Sequence, residues 1–158
     1  MDPSRVLPHG PPARLLTRVI ETSGDRARAI GRIGPEAPGA GPAGAPAILG
    51  LELGAQCAAM IARAAPAGSR QVDDAPADPP RIGYLVSIRS ARFDVAFLPV
   101  ESDLEVEARR VGGVGGLEVF EITVQTPGRA APVVLGTLGT MLTERRVAVA
   151  GTSGSAAE

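Results

Sequence analysis

One carboxylate lies in the most apolar stretch of the chain, ILGLELGAQCAAMIA, which spans residues 48–62. Glu52 is the one charged residue of this stretch and Gln56 is its one amide. A carboxylate that is buried without partners costs several kcal/mol or takes up a proton. General acids and bases work best with a pKa near the operating pH, and burial moves a glutamate in that direction. Glu52 is therefore a candidate for proton transfer. The alternative is that it caps backbone groups or pairs with an arginine.

Glu52 and Gln56 are four residues apart, so a helix places both on one stripe together with Ile48. The Gln56 amide can satisfy nearby backbone groups, which is a structural role. Cys57 follows Gln56 but lies about 100° further round the helix. We expect Cys57 to pack as a small apolar side chain rather than to act as a nucleophile.

His9 is the single histidine of the chain and lies in the segment LPHG near the N-terminus. Histidine is the side chain best suited to move a proton near neutral pH. His9 is therefore a second candidate for proton transfer. The alternative is a surface residue without a catalytic role.

The composition argues against several classes of function. The formal net charge is -1, and the sixteen basic residues are scattered arginines, which argues against nucleic-acid binding. One cysteine and one histidine are too few for a structural zinc site, and we expect no cofactor. The chain has no recognisable secretory signal and no apolar run of about 20 residues. We therefore expect a cytoplasmic protein without a membrane span.

Apolar segments alternate with segments rich in proline and glycine, and this alternation delimits the elements. The predicted order is an arm at 1–13, strands at 15–22 and 26–33, a loop at 34–46, a helix at 47–65, a loop at 67–80, and a meander of four strands in which GGVGG at 112–116 is a turn. These elements form a single domain over residues 1–143. The C-terminal segment at 144–158 ends in a disordered tail, GTSGSAAE.

The predicted helix carries no polar face before Arg63, so other structure must enclose it on most sides. One long apolar helix between two strands and four more predicts an α+β fold. In that fold an antiparallel sheet wraps around one long central helix, which is the hotdog fold. Periodicity by itself also fits another α+β roll.

Two segments together resemble one enzyme family. VLPHGPPARLLTRVIE, residues 6–21, resembles the opening LPH-x-x-P-x-x-L-L-x-x-V of FabZ-type and ApeP-like dehydratases, which act on 3-hydroxyacyl groups carried by acyl carrier protein. PAILGLELGAQCAA, residues 46–59, is similar to their central-helix segment, in which a proline precedes an L-E-x-x-A-Q core. The predicted order of elements is also that of the family's hotdog fold, so the resemblance covers residues 6–143.

The chain departs from this pattern at three positions. FabZ-type enzymes carry a catalytic histidine in a loop before the helix, and the matching position here is Pro38. ApeP-like proteins also lack that histidine, while they keep the LPH histidine and the helix glutamate. Gly54 stands where a methionine is usual, and Ile48 replaces an aromatic residue. These changes leave the shape of the pocket, and hence the substrate, open.

The resemblance implies roles for four residues and two kinds of partner. His9 is the base and Glu52 the acid in the dehydration of a 3-hydroxyacyl thioester, while Gly50 and Gln56 bind substrate. The substrate is a phosphopantetheine-linked acyl chain on acyl carrier protein, in fatty-acid, aryl-polyene or polyketide-like biosynthesis. The resemblance also implies a homodimer, or a heterodimer with a hotdog paralogue, with residues of both chains at the site.

Two other functions stay open. A hotdog acyl thioesterase would use Glu52 to activate water or to attack the thioester carbonyl. A non-catalytic hotdog subunit would bind a partner or an acyl chain. The missing loop histidine and the loss of aromatic residues around the pocket favour that last function.

Overall fold

The computed structural model describes residues 3, 7, 10, 12–64 and 81–144. Its elements are β1 (Leu16–Thr22), β2 (Arg26–Gly31), β3 (Ala45–Pro46), α1 (Leu49–Ala64), β4 (Arg81–Phe93), β5 (Phe97–Leu98), β6 (Leu104–Val114), β7 (Leu117–Gln125) and β8 (Val134–Glu144). Six strands form one antiparallel sheet in the order β1-β2-β6-β7-β8-β4, and β3 pairs with β5. One large sheet packed on one long helix confirms the predicted α+β class. The predicted loop at 67–80 and the C-terminal tail lie outside the described residues.

Helix α1 lies directly against the inner face of the sheet because two glycines remove side chains from the contact. A Cβ atom on Gly50 would come within 2.8 Å of Val134 on β8. A Cβ atom on Gly54, one turn later, would come within 2.7 Å of Ile122 on β7. Larger residues at either position would push the helix away from the sheet. The helix residues that complete this contact are fully or almost fully buried: Leu51, Leu53, Cys57, Ala58, Met60 and Ile61.

The central strands alternate between a buried inner face and a charged outer face, which is the pattern of a sheet covered on one side. In β6, Leu104, Val106 and Ala108 are buried, while the residues between them point outward. The outer residues form ion pairs across strands, such as Arg26 with Glu107 at 2.7 Å. The helix therefore covers one face only, and the site must lie on the helix side.

The predicted meander of four strands is wrong. Strands β6, β7 and β8 are consecutive neighbours, but β4 pairs with β8 at the far edge, and β6 pairs with β2. The reason is the crossover through α1, which carries the chain from β2 across the sheet to the far edge, where β4 lies. The later strands β6, β7 and β8 then occupy the central positions between β2 and β4.

The predicted turn at GGVGG is also shorter than expected. Strand β6 continues through Gly112 and Gly113 to Val114, so these glycines belong to the strand. The loop consists of Gly115 and Gly116, with φ angles of 58° and 85°. A two-residue hairpin loop of this kind requires positive φ at both positions, which glycine adopts without strain.

Candidate functional site

Glu52 lies in the first turn of α1, on the side of the helix that the sheet does not cover. Strands β1, β2, β6, β7 and β8 pack against the other sides of the helix. The uncovered residues recur at helical spacing and form what we call the open stripe: Ile48, Glu52, Ala55 and Ala59. Ile48 is 59% exposed, and the other three are half-buried. The carboxylate of Glu52 is therefore partly shielded yet reachable from outside.

Neither structural alternative for Glu52, the capping of backbone groups or an ion pair with an arginine, is seen in the described part of the chain. Among these residues, its one hydrogen-bond partner is Gln56, and no arginine forms an ion pair with it. Carboxylates on the outer face of the sheet, in contrast, do pair with arginines, such as Glu121 with Arg109 at 2.7 Å. Glu52 thus differs from them in both position and electrostatic environment.

The amide of Gln56 is only 2% exposed and makes four hydrogen bonds. Its Oε1 accepts hydrogen bonds from the backbone N–H groups of Leu15 at 2.9 Å and Leu16 at 3.2 Å. Its Nε2 donates to the carbonyl oxygen of Ala13 at 2.7 Å and to Oε1 of Glu52 at 2.9 Å. As the four-residue spacing predicts, Glu52 and Gln56 face the same way. The substrate-binding role of Gln56 stays a prediction.

The chain that precedes β1 is anchored to the helix by this amide. Within that chain, the N–H groups of Ala13 and Arg14 donate to the carbonyl oxygen of Gly10 at 3.0 and 3.1 Å. His9 lies outside the described residues, but its neighbour Gly10 is joined by this turn to Ala13. Ala13, at the end of this turn, and Glu52 both accept hydrogen bonds from the same Gln56 amide nitrogen. The pairing of His9 with Glu52 stays a prediction.

Gly50 is buried at the start of α1, with Val134 on the side where a Cβ would stand. Its N–H donates to the carbonyl oxygen of Ala47 at 2.9 Å. Packing on β8 is thus one reason for a glycine here, and a contact with substrate stays a prediction. Within the described chain, the N–H groups of Ile48 and Leu49 have no backbone acceptor. They are the donors at this end of the helix that remain free to bind a carbonyl oxygen.

Cys57 is fully buried, as expected for a packing residue. Its Sγ lies 3.5 Å from the carbonyl oxygen of Ala27 and 3.7 Å from that of Val106. Burial raises the pKa of the Cys57 thiol to about 12. Since the thiolate is the reactive form of cysteine, Cys57 is not a nucleophile of this site.

The two unusual residues of the helix segment have different surroundings. Gly54 faces Ile122 on the sheet, so the absence of a larger residue there affects helix packing. Ile48 lies on the open stripe beside Glu52 and is exposed. Of these two substitutions, Ile48 is therefore the one that changes the surface next to the carboxylate.

Sequence reasoning missed an apolar surface on β4, the edge strand beside β8. Ile88 lies opposite the buried Leu138, and Phe93 lies opposite the buried Val134, so both are on the helix side of the sheet. The β4 apolar surface consists of exposed residues on both faces of the strand: Tyr84, Leu85, Val86, Ile88 and Phe93. The run YLVSI, apolar on both faces without a covering helix, is the signal that could have revealed it.

Metal and membrane sites are not found in the described ranges. The part of the chain that the structure describes has no group of three or more histidine, cysteine or acidic side chains that could hold a metal ion. Within these same ranges, α1 falls short of the length and hydropathy that a membrane-crossing helix needs.

Comparison with known proteins agrees with the geometry. A family model described as ApeP-like, ApeP dehydratase, matches residues 1–147. A search of the curated proteins finds no match.

Solved structures with similar folds include a dehydratase complex and several thioesterases. The dehydratase heterocomplex ApeI:P from Xenorhabdus doucetiae matches with a TM-score of 0.71 and 20% identity, over 92% of this chain and 93% of that chain. A hypothetical thioesterase with coenzyme A from Streptococcus pneumoniae has a TM-score of 0.56 and 12% identity, over 80% and 84% of the two chains. Zebra fish thioesterase superfamily member 2 has a TM-score of 0.55 and 11% identity, over 78% of each chain. These likenesses establish the hotdog fold.

Proposed function

The chain belongs to the ApeP-like dehydratase family, and from this premise we propose that it dehydrates 3-hydroxyacyl thioesters carried by acyl carrier protein. One observation carries the proposal: Glu52 is half-buried on the open stripe, held by Gln56, and not neutralised by any arginine of the described residues. A carboxyl group in this setting can, in its protonated form, give a proton to a substrate lying along the stripe. Fatty-acid, aryl-polyene or polyketide-like biosynthesis in the cytoplasm supplies such substrates.

The proposed reaction needs one base and one acid. His9 removes a proton from C2, next to the thioester carbonyl, and Glu52 donates a proton to the hydroxyl group on C3. The C3–O bond breaks, a double bond forms between C2 and C3, and water leaves. The product is an enoyl thioester.

The start of α1 is suited to stabilise the negative charge that develops on the thioester carbonyl oxygen. The free N–H groups of Ile48 and Leu49 lie at the positive end of the helix dipole, one turn before Glu52. In this proposal Gly50 contributes backbone that the thioester can approach closely. Gln56 contributes through its hydrogen bond to Glu52.

The β4 apolar surface supports a second hotdog chain as a partner. Strand β4 runs for 13 residues at the edge of the sheet and, within the described ranges, pairs only with β8. A long apolar edge strand is a template for pairing with another chain. We therefore propose a homodimer, or a heterodimer with a hotdog paralogue, with acyl carrier protein as the substrate carrier.

The test is an assay of the purified chain, alone and with a hotdog paralogue from the same genome, on two thioesters. We expect 3-hydroxyacyl-acyl carrier protein to give enoyl product, and His9→Ala and Glu52→Gln each to abolish it. Release of free acid from a saturated acyl thioester would instead support a thioesterase. No turnover of either substrate in either assembly would favour a non-catalytic subunit.

A further inference from the structure

We infer that Gln56 is a positioning residue that holds Glu52 in a fixed relation to the chain entering β1. This inference rests on the proposed function and deepens it. The amide joins three segments: the helix through its own backbone, the carboxylate of Glu52, and the backbone from Ala13 to Leu16. No other described side chain bonds to Glu52, so its orientation depends on this one contact.

Every hydrogen-bonding position of the Gln56 amide is occupied. An amide oxygen has two lone pairs and an amide nitrogen has two hydrogens. The backbone N–H groups of Leu15 and Leu16 occupy the two lone pairs of the oxygen. The two hydrogens of the nitrogen are donated to the Ala13 carbonyl oxygen and to Glu52. A direct bond from Gln56 to substrate would break one of these at a site that is 2% exposed. Its effect on the reaction is therefore exerted through Glu52.

The consequence for Glu52 is an asymmetry between its two oxygens. Oε1 is held at 2.9 Å by Gln56. Among the described residues no hydrogen bond engages Oε2, which leaves it as the oxygen that exchanges a proton with substrate. A glutamate side chain has several rotatable bonds, and fixing one of its oxygens removes most of the other side-chain conformations.

The first test does not depend on catalysis. In 15N-labelled protein, the side-chain Nε2 resonance of Gln56 should shift when the Glu52 carboxylate takes up a proton, and this pH dependence should disappear in Glu52→Gln. Gln125 is the matched control, because its Nε2 donates to the carbonyl oxygen of Arg129 at 2.6 Å and not to a carboxylate. A Gln56 resonance that ignores pH, or behaves identically in Glu52→Gln, would overturn the inference.

The second test uses the pH dependence of kcat/KM, which a purely structural residue does not shift. Gln56→Glu keeps an acceptor for the N–H groups of Leu15 and Leu16 but places a second carboxylate beside Glu52. Two carboxylates at hydrogen-bond distance share a proton, so the alkaline limb of the profile, where the general acid loses its proton, should move up by about one pH unit or more.

Met60→Ala is the control for this second test, since Met60 is fully buried one turn further along and its loss lowers stability without touching Glu52. An unshifted profile in Gln56→Glu, or an equal shift in Met60→Ala, contradicts the inference. A wild-type protein without dehydratase activity would overturn the proposed function instead, and the resonance test would still decide the role of Gln56.

Discussion

Nε2 of Gln56 lies 2.9 Å from Oε1 of Glu52, one helical turn earlier on α1. The pair occupies the boundary between the buried side of the helix and its open stripe: Gln56 is buried and Glu52 half-buried. Gln56 rather than a charged residue occupies the buried position, because a neutral amide can be fully hydrogen-bonded there. A buried charge at the same position would lose its hydration without full compensation. The charged group is thereby kept at the surface where a substrate can reach it.

Replacing Glu52 by glutamine should remove dehydratase activity without unfolding the protein. We expect Glu52→Gln to lower kcat by about 10²- to 10⁴-fold, the usual contribution of a general acid or base. Enoyl-thioester formation measures this loss. The matched control is Glu105→Gln, because Glu105 is exposed on the outer face and pairs loosely with Arg28 at 3.7 Å. Equal activity in the two variants would remove Glu52 from the mechanism.

Adding a methyl group at Gly54 should destabilise the fold, because the new Cβ would lie 2.7 Å from Cγ1 of Ile122. We expect Gly54→Ala to lower the free energy of unfolding by about 1–3 kcal/mol. Urea denaturation measures this free energy of unfolding, and the loss caused by Gly54→Ala should be smaller in an Ile122→Ala background. Gly112→Ala is the control, because nothing lies within 4 Å of a Cβ there. A neutral Gly54→Ala would mean that the helix is not in close contact with β7.

Cys57 should resist thiol reagents as long as the protein is folded. Burial raises its pKa from the ordinary value of 9.0 to about 12, so the thiol stays protonated at neutral pH. A raised pKa contributes stability that is fully present below pH 9.0 and is lost as the pH rises towards about 12. We expect no reaction with a disulfide reagent at neutral pH until denaturant is added. Rapid labelling of the native protein would contradict the observed burial.

A charge on the β4 apolar surface should weaken assembly with another hotdog chain. Ile88 is 48% exposed on the helix side of the edge strand, so we expect Ile88→Glu to shift the mass measured by light scattering towards the monomer. Val114→Glu is the control, because Val114 is 79% exposed at the tip of the β6–β7 hairpin. If the assembly survives Ile88→Glu unchanged, β4 is not the interface.

The elements of the fold follow closely from the order of residues. Proline and glycine delimit the strands β1 and β2 and the helix α1, whose observed bounds, Leu49–Ala64, fall inside the predicted 47–65. The alternation of Leu104, Val106 and Ala108 with charged residues along β6 predicts the buried face of that strand. These properties depend on neighbours within a few positions, so the sequence expresses them directly.

The family could also be identified from the sequence, because LPH and the L-E-x-x-A-Q core combine side chains with fixed spacing. The family model over residues 1–147 confirms this resemblance. The departures at Ile48 and Gly54 were visible in the same way. The sequence does not show which of the two residues faces the sheet, since that depends on how α1 packs on β7.

The sequence by itself determined the helix, the four-residue spacing that places Gln56 one turn after Glu52, and the family, because each depends on local spacing. The tertiary structure decided the placement of β4 beside β8, since pairing between distant strands depends on the crossover and not on either strand alone. It also decided which groups Gln56 binds. Its partners between Ala13 and Leu16 are backbone atoms, which every residue carries, and no residue type marks them before the chain is folded.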